Sequence, residues 1–193
     1  MNEIASTMPS LGTPLPAFEL EDTMGNAISS AFFRGQPLLV VFLANDCPYV
    51  QHILDPLLAL VQEYQQKKVN VVGINSNAHD DASAESYGKM QEFDRKRGFT
   101  FRYLCDSTQE IAKAFKASCT PDFFVFDRAG KLFYRGQFDD SRPDNDIPPT
   151  GSDLRAALEA VRKGDEPPGD QQPAHGSPIQ WRPENEPAYA RNG

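Results

Sequence analysis

The most constraining feature of this 193-residue chain is a continuous apolar run that leads directly into a helical pattern. Residues 37–44 read PLLVVFLA, which has the length of one strand and lacks the alternation of a half-exposed strand. Beyond it, apolar side chains recur at helical spacing, at Val50, Ile53, Leu54, Leu57, Leu58, Val61 and Tyr64. A strand covered on both faces and followed by a helix is typical of α/β proteins, so we predict that class.

The rest of the chain continues the alternation of strands and helices. We predict, in order, a hairpin over 17–34 turning at Met24-Gly25-Asn26, a strand over 69–77, a helix over 83–97, a strand over 99–106, a helix from a Ser107/Glu110 capping box through Phe115, two antiparallel strands joined by Arg128-Ala129-Gly130, and a helix around 154–161. This order predicts one α/β domain over residues 1–163, with a mixed central β-sheet flanked by helices and an N-terminal β-hairpin extension.

Net charge and apolar run lengths limit the classes of partner. The chain carries a net charge of −8 and has a pI near 4.9, whereas nucleic acids and anionic membrane surfaces require a basic footprint. No apolar stretch approaches the roughly 20 residues of a membrane span, and the first ten residues have neither a basic start nor an apolar signal core. We therefore expect a cytoplasmic protein whose partners are small molecules or proteins, with no nucleic acid and no membrane.

The C-terminal segment 164–193 differs in composition from the domain. It contains six of the sixteen prolines and has almost no apolar periodicity, which by itself is typical of a disordered tail. It also contains Trp181, the only tryptophan, with Ile179 and Tyr189 nearby. An exposed Trp in a solvated tail would be unusual, so we predict that residues 175–189 of this Pro-rich tail dock on the domain.

Cys47 lies where the apolar strand gives way to the helix. A sulfur at a helix N-terminus is close to unpaired backbone N–H groups and to the positive end of the helix dipole, and this environment stabilises a thiolate. Pro48 supports a helix start, because a first-turn proline loses no intrahelical hydrogen bond. The alternative is a buried structural cysteine, a common role for this residue type. Three cysteines form no disulfide framework, which fits a reducing compartment.

Several short motifs, taken together, resemble the thioredoxin-like superfamily. The chain has Cys47-Pro48-Tyr49-Val50 at a helix start, Pro56 inside that helix, Thr120-Pro121-Asp122 before a strand and the loop Asp139-Asp140-Ser141-Arg142. The opening GTPLPAFELEDTMGN is similar to the alkyl hydroperoxide reductase/thiol-specific antioxidant (redoxin) branch, and the Cys-Pro-Tyr-Val stretch to one subgroup of it. The resemblance spans nearly the whole chain and implies a thioredoxin-like fold, a cis bond before Pro121 and redox chemistry at Cys47.

The chain departs from the resembling families at three places. Val50 stands where thioredoxins carry the second cysteine of Cys-x-x-Cys. Val40 and Ala44 stand where peroxiredoxins carry the proline and the threonine that precede their reactive cysteine, which lowers the expectation of peroxidase activity. Ser177 stands where the tail of the subgroup carries a cysteine in Gly-Cys-x-Ile-Lys-Trp. A resolving cysteine is therefore absent from both expected positions.

Cys119 is the obvious substitute for a resolving cysteine. It precedes the predicted cis-proline by two residues, on a loop that the resemblance places against the start of the Cys47 helix. A disulfide with Cys47 would require Cα atoms within about 4.4 to 6.8 Å. The alternative is an exposed thiol beside the site that forms mixed or intermolecular disulfides. We expect Cys105, on a predicted strand, to be inert.

The remaining candidates are supporting residues. We expect Pro48, Tyr49, Thr120 and Pro121 to line a substrate groove, and Arg142 or His52 to support the thiolate, although Arg142 could equally be a solvated loop residue. Asp46 beside the cysteine would disfavour the thiolate, so we expect it to be a helix cap. The three histidines, His52, His79 and His175, lack the spacing of a metal site. We expect no metal and no cofactor.

These interpretations lead to one prediction of function with two alternatives. We predict a thiol–disulfide oxidoreductase in which Cys47 attacks as the thiolate and is resolved by Cys119 or by an external thiol. Its partners would be protein or small-molecule disulfides and a reducing thiol or a thioredoxin-type reductant. The first alternative is a thiol-dependent peroxidase with Cys47 as the peroxidatic cysteine. The second is a non-catalytic binding module that retains the fold.

Overall fold

The computed structural model of the protein describes residues 3–77 and 83–190, and His79 therefore lies outside the described residues. The strands are β1 (Ile4–Ala5), β2 (Glu19–Asp22), β3 (Ala27–Ser29), β4 (Leu38–Phe42), β5 (Asn70–Asn75), β6 (Arg102–Cys105), β7 (Cys119–Thr120), β8 (Asp122–Phe126), β9 (Leu132–Gly136) and β10 (His175–Pro178). The α-helices are α1 (Pro48–Gln66), α2 (Tyr87–Arg97), α3 (Glu110–Phe115) and α4 (Ser152–Lys163), and short 3-10 helices span Ser30–Phe33 and Ala188–Ala190.

The central sheet is mixed and contains seven strands in the order β3-β2-β6-β5-β4-β8-β9. Strands β4, β5 and β6 are parallel, as expected of strands joined by crossover helices, and β4 pairs with β8 in antiparallel fashion. All five residues of β4 are buried because one apolar cluster covers each face of the sheet. The predicted α/β class with a mixed sheet flanked by helices is confirmed.

The element boundaries show where local sequence signals were misleading. Helix α2 begins at Tyr87 rather than near residue 83. The predicted Ser107/Glu110 capping box is wrong, because the Asp106 carboxylate accepts the second and third amides of α3, from Ile111 at 3.3 Å and Ala112 at 2.9 Å. Asp106 is fully buried, and its carboxylate also accepts a hydrogen bond from the Ser76 hydroxyl. The hydrogen bond from Ser76, which is distant in sequence, therefore holds the Asp106 carboxylate at the start of α3.

The C-terminal segment packs on the domain through a second, three-stranded sheet in the order β1-β10-β7. Strand β10 lies antiparallel to β7, with Ser177 opposite Thr120, and the Ile179 amide continues the ladder to the Ser118 carbonyl at 2.9 Å. The Ile179 side chain is buried in the apolar cluster on the α3 face of the sheet, and Trp181 packs against that cluster. Residues 175–181 therefore form part of the folded body.

The helices described for this chain are all too short or too polar to cross a bilayer.

Candidate functional site

Cys47 is the N-cap residue of α1, in the loop that leaves the end of β4. Its backbone is extended, with φ −81° and ψ 120°, and Pro48 occupies the first helical position. The first N–H groups of a helix have no intrahelical acceptor, so the sulfur lies at the end of the helix where positive potential is concentrated. Only 3% of the Cys47 surface is exposed. The structure thus has Cys47 at a helix start, as predicted. Its sulfur is buried rather than exposed on a surface loop.

A buried carboxylate, Glu85, holds the loop that precedes Cys47. Its two oxygens accept the Asn45 and Asp46 amides, each at 2.7 Å, and one of them also accepts a hydrogen bond from the Asn75 side chain at 2.7 Å. Glu85 is 4% exposed and lies just before α2, which explains why the helix begins late. The expectation that Asp46 caps α1 is wrong, because its side chain is exposed and Cys47 is the N-cap.

Sequence reasoning missed Glu85. The residue lies in a stretch whose pattern predicted a helix, where a glutamate is typical of a solvated face. Two of its partners lie in the loop before α1, and the hydrogen bonds with Asn45 and Asp46 span 40 and 39 residues. No local signal could have identified it.

Two oxygen atoms lie against the Cys47 sulfur. The thiol donates to the Thr120 carbonyl at 3.0 Å, and the Ser177 hydroxyl lies 3.4 Å away. The Thr120–Pro121 bond is cis, which turns the chain from β7 into β8 beside the start of α1. When the thiol ionises it loses its bond to the carbonyl, whereas the Ser177 hydroxyl can turn and donate to the thiolate. Ser177 is thus the side chain that can hydrogen-bond to the sulfur in either protonation state.

Cys119 lies on the other side of Thr120 and is fully enclosed. None of its surface is exposed, and its sulfur lies 3.7 Å from the Pro121 carbonyl. Burial, and secondarily the negative charge of Asp122, raises the pKa of the Cys119 thiol well above its ordinary value. Cys47 and Cys119 are both free thiols. The alternative of an exposed thiol at Cys119 is wrong, because this residue of β7 is paired with β10 and is 0% exposed.

Cys105 lies at the end of β6, as predicted for a strand position. Burial, followed by the charge of Asp106, raises the pKa of its thiol to about 11. A thiol with so high a pKa is almost entirely protonated at neutral pH and is a poor nucleophile. The inertness of Cys105 stays a prediction.

The first turn of α1 is tied to both ends of the chain. The Tyr49 hydroxyl donates to Glu3 at 2.6 Å, and the other Glu3 oxygen lies 2.9 Å from the His175 ring at the start of β10. Burial and this contact raise the pKa of Tyr49 to about 12, and the tyrosine hydrogen bond lowers the pKa of Glu3. Tyr49 does lie beside the site, but it is covered rather than on an exposed turn.

The predicted supporting residues lie around a small cavity beside Pro121. The cavity, of about 20 Å³, is lined in part by Tyr49, His52, Pro121, Arg142 and His175, and it is large enough for about one water molecule. Arg142 donates to the Asp139 and Ser141 carbonyls and to the Gln137 side chain, each at 2.7 Å. Its donors therefore stabilise its own loop. The His52 Nε2 atom is buried and has no hydrogen-bond partner within the described part of the chain.

Two polar groups in the cis-proline loop are buried without partners. The Thr120 hydroxyl and both Asp122 carboxylate oxygens lack a well-aligned hydrogen bond within residues 3–77 and 83–190. Burial raises the pKa of Asp122 well above its ordinary value, and the Ser118 and Phe123 amides offset only part of that rise. Burial therefore disfavours the charged form of Asp122.

A search of the described ranges for three or more His, Cys, Asp or Glu side chains that could bind one metal ion finds none.

Comparisons with known proteins agree with this geometry. An uncharacterized conserved protein from Geobacillus kaustophilus is 41% identical, with a TM-score of 0.92 over 95% of this chain and 98% of that one. A thiol:disulfide interchange protein of the thioredoxin family from Chlorobium tepidum has a TM-score of 0.62 at 19% identity, over 80% and 99% of the two chains, which shows a thioredoxin-like fold.

A curated mouse protein, "Probable glutathione peroxidase 8", is 29% identical over 86 residues, which is 44% of this chain and 41% of the mouse protein. This chain therefore matches about two fifths of the length of that relative. The family model that matches covers more than half of the chain, from residue 11 to residue 135, and includes Cys47 and the cis-proline loop. The chain belongs to the AhpC/TSA family.

Proposed function

We propose that this protein is a thiol–disulfide oxidoreductase with Cys47 as its nucleophile. One observation carries the proposal: the Cys47 sulfur lies at the N-terminus of α1 and 3.0 Å from the Thr120 carbonyl of a cis-proline loop. The helix end favours the thiolate, and the loop presents backbone groups beside it that an extended substrate can pair with. Family membership supports redox chemistry at this sulfur.

The reaction is a two-step exchange. The Cys47 thiolate attacks one sulfur of a substrate disulfide, a bond forms between these two sulfurs, and the other substrate sulfur leaves as a thiolate that takes up a proton. A second thiolate then attacks the mixed disulfide and releases Cys47. We assign this second thiol to an external reductant, such as a small thiol or a thioredoxin-type protein, because Cys119 is enclosed and its pKa is raised. A reducing compartment such as the cytoplasm would supply it.

The surrounding residues have supporting roles in this proposal. Pro48 fixes the helix start, and Thr120 and Pro121 form the wall against which the substrate lies. Tyr49 closes the site opposite β10 through Glu3. Arg142 and His52 act on the cavity beside Pro121 rather than on the sulfur directly, since the donors of Arg142 are taken up by its own loop.

Reduction of insulin, or of a small disulfide, by the purified protein with a monothiol reductant tests the proposal. We expect turnover that is lost in Cys47→Ser, and mass spectrometry of the stopped reaction should find Cys47 in a mixed disulfide. Turnover that persists in Cys47→Ser would refute the assignment. Absence of both disulfide and peroxide turnover would instead favour a non-catalytic binding module.

The enclosure of Cys47 favours one second candidate, a thiol-dependent peroxidase. Only 3% of the Cys47 surface is exposed, and so small an opening suits an oxidant the size of hydrogen peroxide better than a protein disulfide. The thiolate would attack one peroxide oxygen, giving a sulfenic acid and a hydroxide that is protonated to water, and an external thiol would then reduce the sulfenic acid. Peroxide consumption with stoichiometric oxidation of Cys47, without insulin reduction, would favour this candidate.

A further inference from the structure

The chain's own tail occupies the edge of β7 beside Cys47. Strand β10 runs antiparallel to β7, with Ser177 opposite Thr120 and Pro178 opposite Cys119. A strand edge pairs with any extended segment that presents its backbone in register, because the affinity comes from main-chain hydrogen bonds. Residues 175–178 therefore show which backbone path and which side chains this edge accepts.

Gly176 marks the most restrictive position of the edge. A Cβ atom at this residue would lie 2.2 Å from the Thr120 carbonyl oxygen and 2.7 Å from its carbon, which are backbone atoms that cannot rotate away. The same carbonyl accepts the hydrogen bond of the Cys47 thiol. A strand in this register must therefore have glycine at the position of Gly176.

The next residue along the strand faces the nucleophile. Ser177 places its Oγ atom 3.4 Å from the Cys47 sulfur. A cysteine at the same place on another strand would bring its sulfur into contact with Cys47, with the backbone already held by β7. The edge therefore favours two residues in a fixed order. The first is a glycine, which fits against the Thr120 carbonyl, and the second is a cysteine, whose sulfur would contact Cys47.

We propose that the β7 edge is a binding site for an extended peptide in which a glycine is followed by a disulfide-bonded cysteine, and that β10 occupies this edge in cis until such a substrate displaces it. The proposal rests on the proposed function and names its substrate class. Cys47 attacks the cysteine sulfur of the bound strand, the new bond joins these two sulfurs, and the substrate's other sulfur leaves as a thiolate and is protonated.

The contacts on either side of β10 define what must be displaced. Strand β1 pairs with its other edge, and the Glu3–His175 contact lies at its start. The segment after it is anchored through buried Ile179. A substrate must replace the pairing of Ser177 and Pro178 with β7, and tethering at both anchors makes β10 a strong competitor for the edge.

Two activated peptides test the glycine requirement on the full-length protein. Both copy residues 173–181 with Ser177→Cys, and the peptide thiol is blocked as a mixed disulfide with thionitrobenzoate; the second peptide also carries Gly176→Ala. We expect the glycine peptide to release thionitrobenzoate from the native protein at least about tenfold faster than the alanine peptide. Mass spectrometry should place the glycine peptide on Cys47.

A pair of protein variants tests the competition in cis. Gly176→Ala should expel β10 from β7 and raise the rate with the glycine peptide about tenfold. Gly169→Ala is the matched control in the same tail, because a Cβ there meets no atom within 4 Å, and it should react at the native rate. Equal rates for Gly176→Ala and Gly169→Ala would overturn competition by β10.

The outcomes separate this inference from the function on which it rests. If both peptides react at one rate while Cys47 reduces a small aromatic disulfide, the exchange chemistry stands and the substrate class is wrong. If the small disulfide reacts only after denaturation, the proposed function fails together with the substrate class. If Gly176→Ala does not fold, the two peptides still decide the matter on the unaltered chain.

Discussion

Cys47 and Cys119 approach the same residue, Thr120, from opposite directions, and both are buried, at 3% and 0% exposure. The surroundings that bury them differ. Cys47 is at a helix N-terminus and is covered on one side by a tail strand whose hydroxyl lies 3.4 Å from the sulfur. Cys119 lies inside the domain near the unpartnered carboxyl of Asp122, and its pKa is raised well above its ordinary value. Low exposure alone therefore does not distinguish the two thiols; the groups that cover each sulfur do.

Removing each sulfur in turn is the strongest way to break this comparison. We expect Cys47→Ser to lower the rate of disulfide reduction by about a thousandfold or more, because a hydroxyl is a far poorer nucleophile at neutral pH. Cys119→Ser should keep the rate within about threefold, because an external thiol completes the exchange. Peptide mapping after brief alkylation should find Cys47 modified first. Equal losses in the two variants would make Cys119 the resolving thiol.

Placing a second sulfur in the tail sharpens the comparison further. Ser177→Cys should form an intramolecular disulfide with Cys47 under mild oxidation, since the replaced oxygen lies 3.4 Å from the Cys47 sulfur. The two residues are 130 positions apart, and closing so long a loop stabilises the folded state by about 2 to 4 kcal/mol. Non-reducing peptide mapping would identify the link.

The control for that variant is Ser177→Cys combined with Cys47→Ser, which should remain reduced. A disulfide from residue 177 to Cys119 in the single variant would show that residue 177 faces Cys119 rather than Cys47. Absence of any link, together with Trp181 fluorescence typical of a fully solvated indole, would refute the docked tail.

Removing the buried side chain that anchors the tail should expose Cys47 and leave Cys119 enclosed. Ile179→Ala removes a side chain that is 3% exposed and should cost about 2 to 4 kcal/mol of unfolding free energy. Part of this loss acts on the tail alone, so the alkylation rate of native Cys47 should rise several-fold. Ile147→Ala is the matched control, because Ile147 is 46% exposed and should change the unfolding free energy by less than about 0.5 kcal/mol. An unchanged Cys47 rate in Ile179→Ala would show that the tail does not limit access.

The sequence predicted the elements of the Cys47 side well because its signals are local. The apolar run of β4 and the helical spacing of α1 each lie within one element, and Pro48 marks the helix start by its own chemistry. The frame Ile179-Gln180-Trp181 likewise indicated a docked tail, since two large apolar side chains in a polar segment need a surface to cover. Ile179 is buried in the structure.

What the sequence could not provide are partners brought together by the fold. Glu85 supports the Cys47 loop from 39 and 40 residues away, and Asp106 rather than Ser107 caps α3 because Ser76 holds it there. The burial of Cys119 was equally hidden, since a thiol two residues before a proline turn could face either side. These features depend on strand order, which single-sequence patterns do not determine.

The smallest effect concerns Asp122, whose burial disfavours its charged form. Its pKa is raised above its ordinary value near 3.8. The folded protein therefore keeps a proton that the unfolded chain releases, and stability falls as pH rises from about 4 to the folded-state pKa. The slope is at most about 1.4 kcal/mol per pH unit. In Asp122→Asn this contribution disappears, so urea unfolding across this range should give a shallower fall with pH than in the native protein.

The lowered pKa values of Asp22 and Asp139 contribute stability that is lost as pH falls, but both groups are present in the two proteins and cancel in the difference. Parallel stability curves would show that Asp122 is solvated in the folded state. The variant also tests what raises the pKa of Cys119. Burial is the larger cause of its raised pKa and the Asp122 charge the smaller, so Cys119 should alkylate only slightly faster in Asp122→Asn, even at high pH. A Cys119 that became as reactive as Cys47 would mean that charge, rather than enclosure, separates the two thiols.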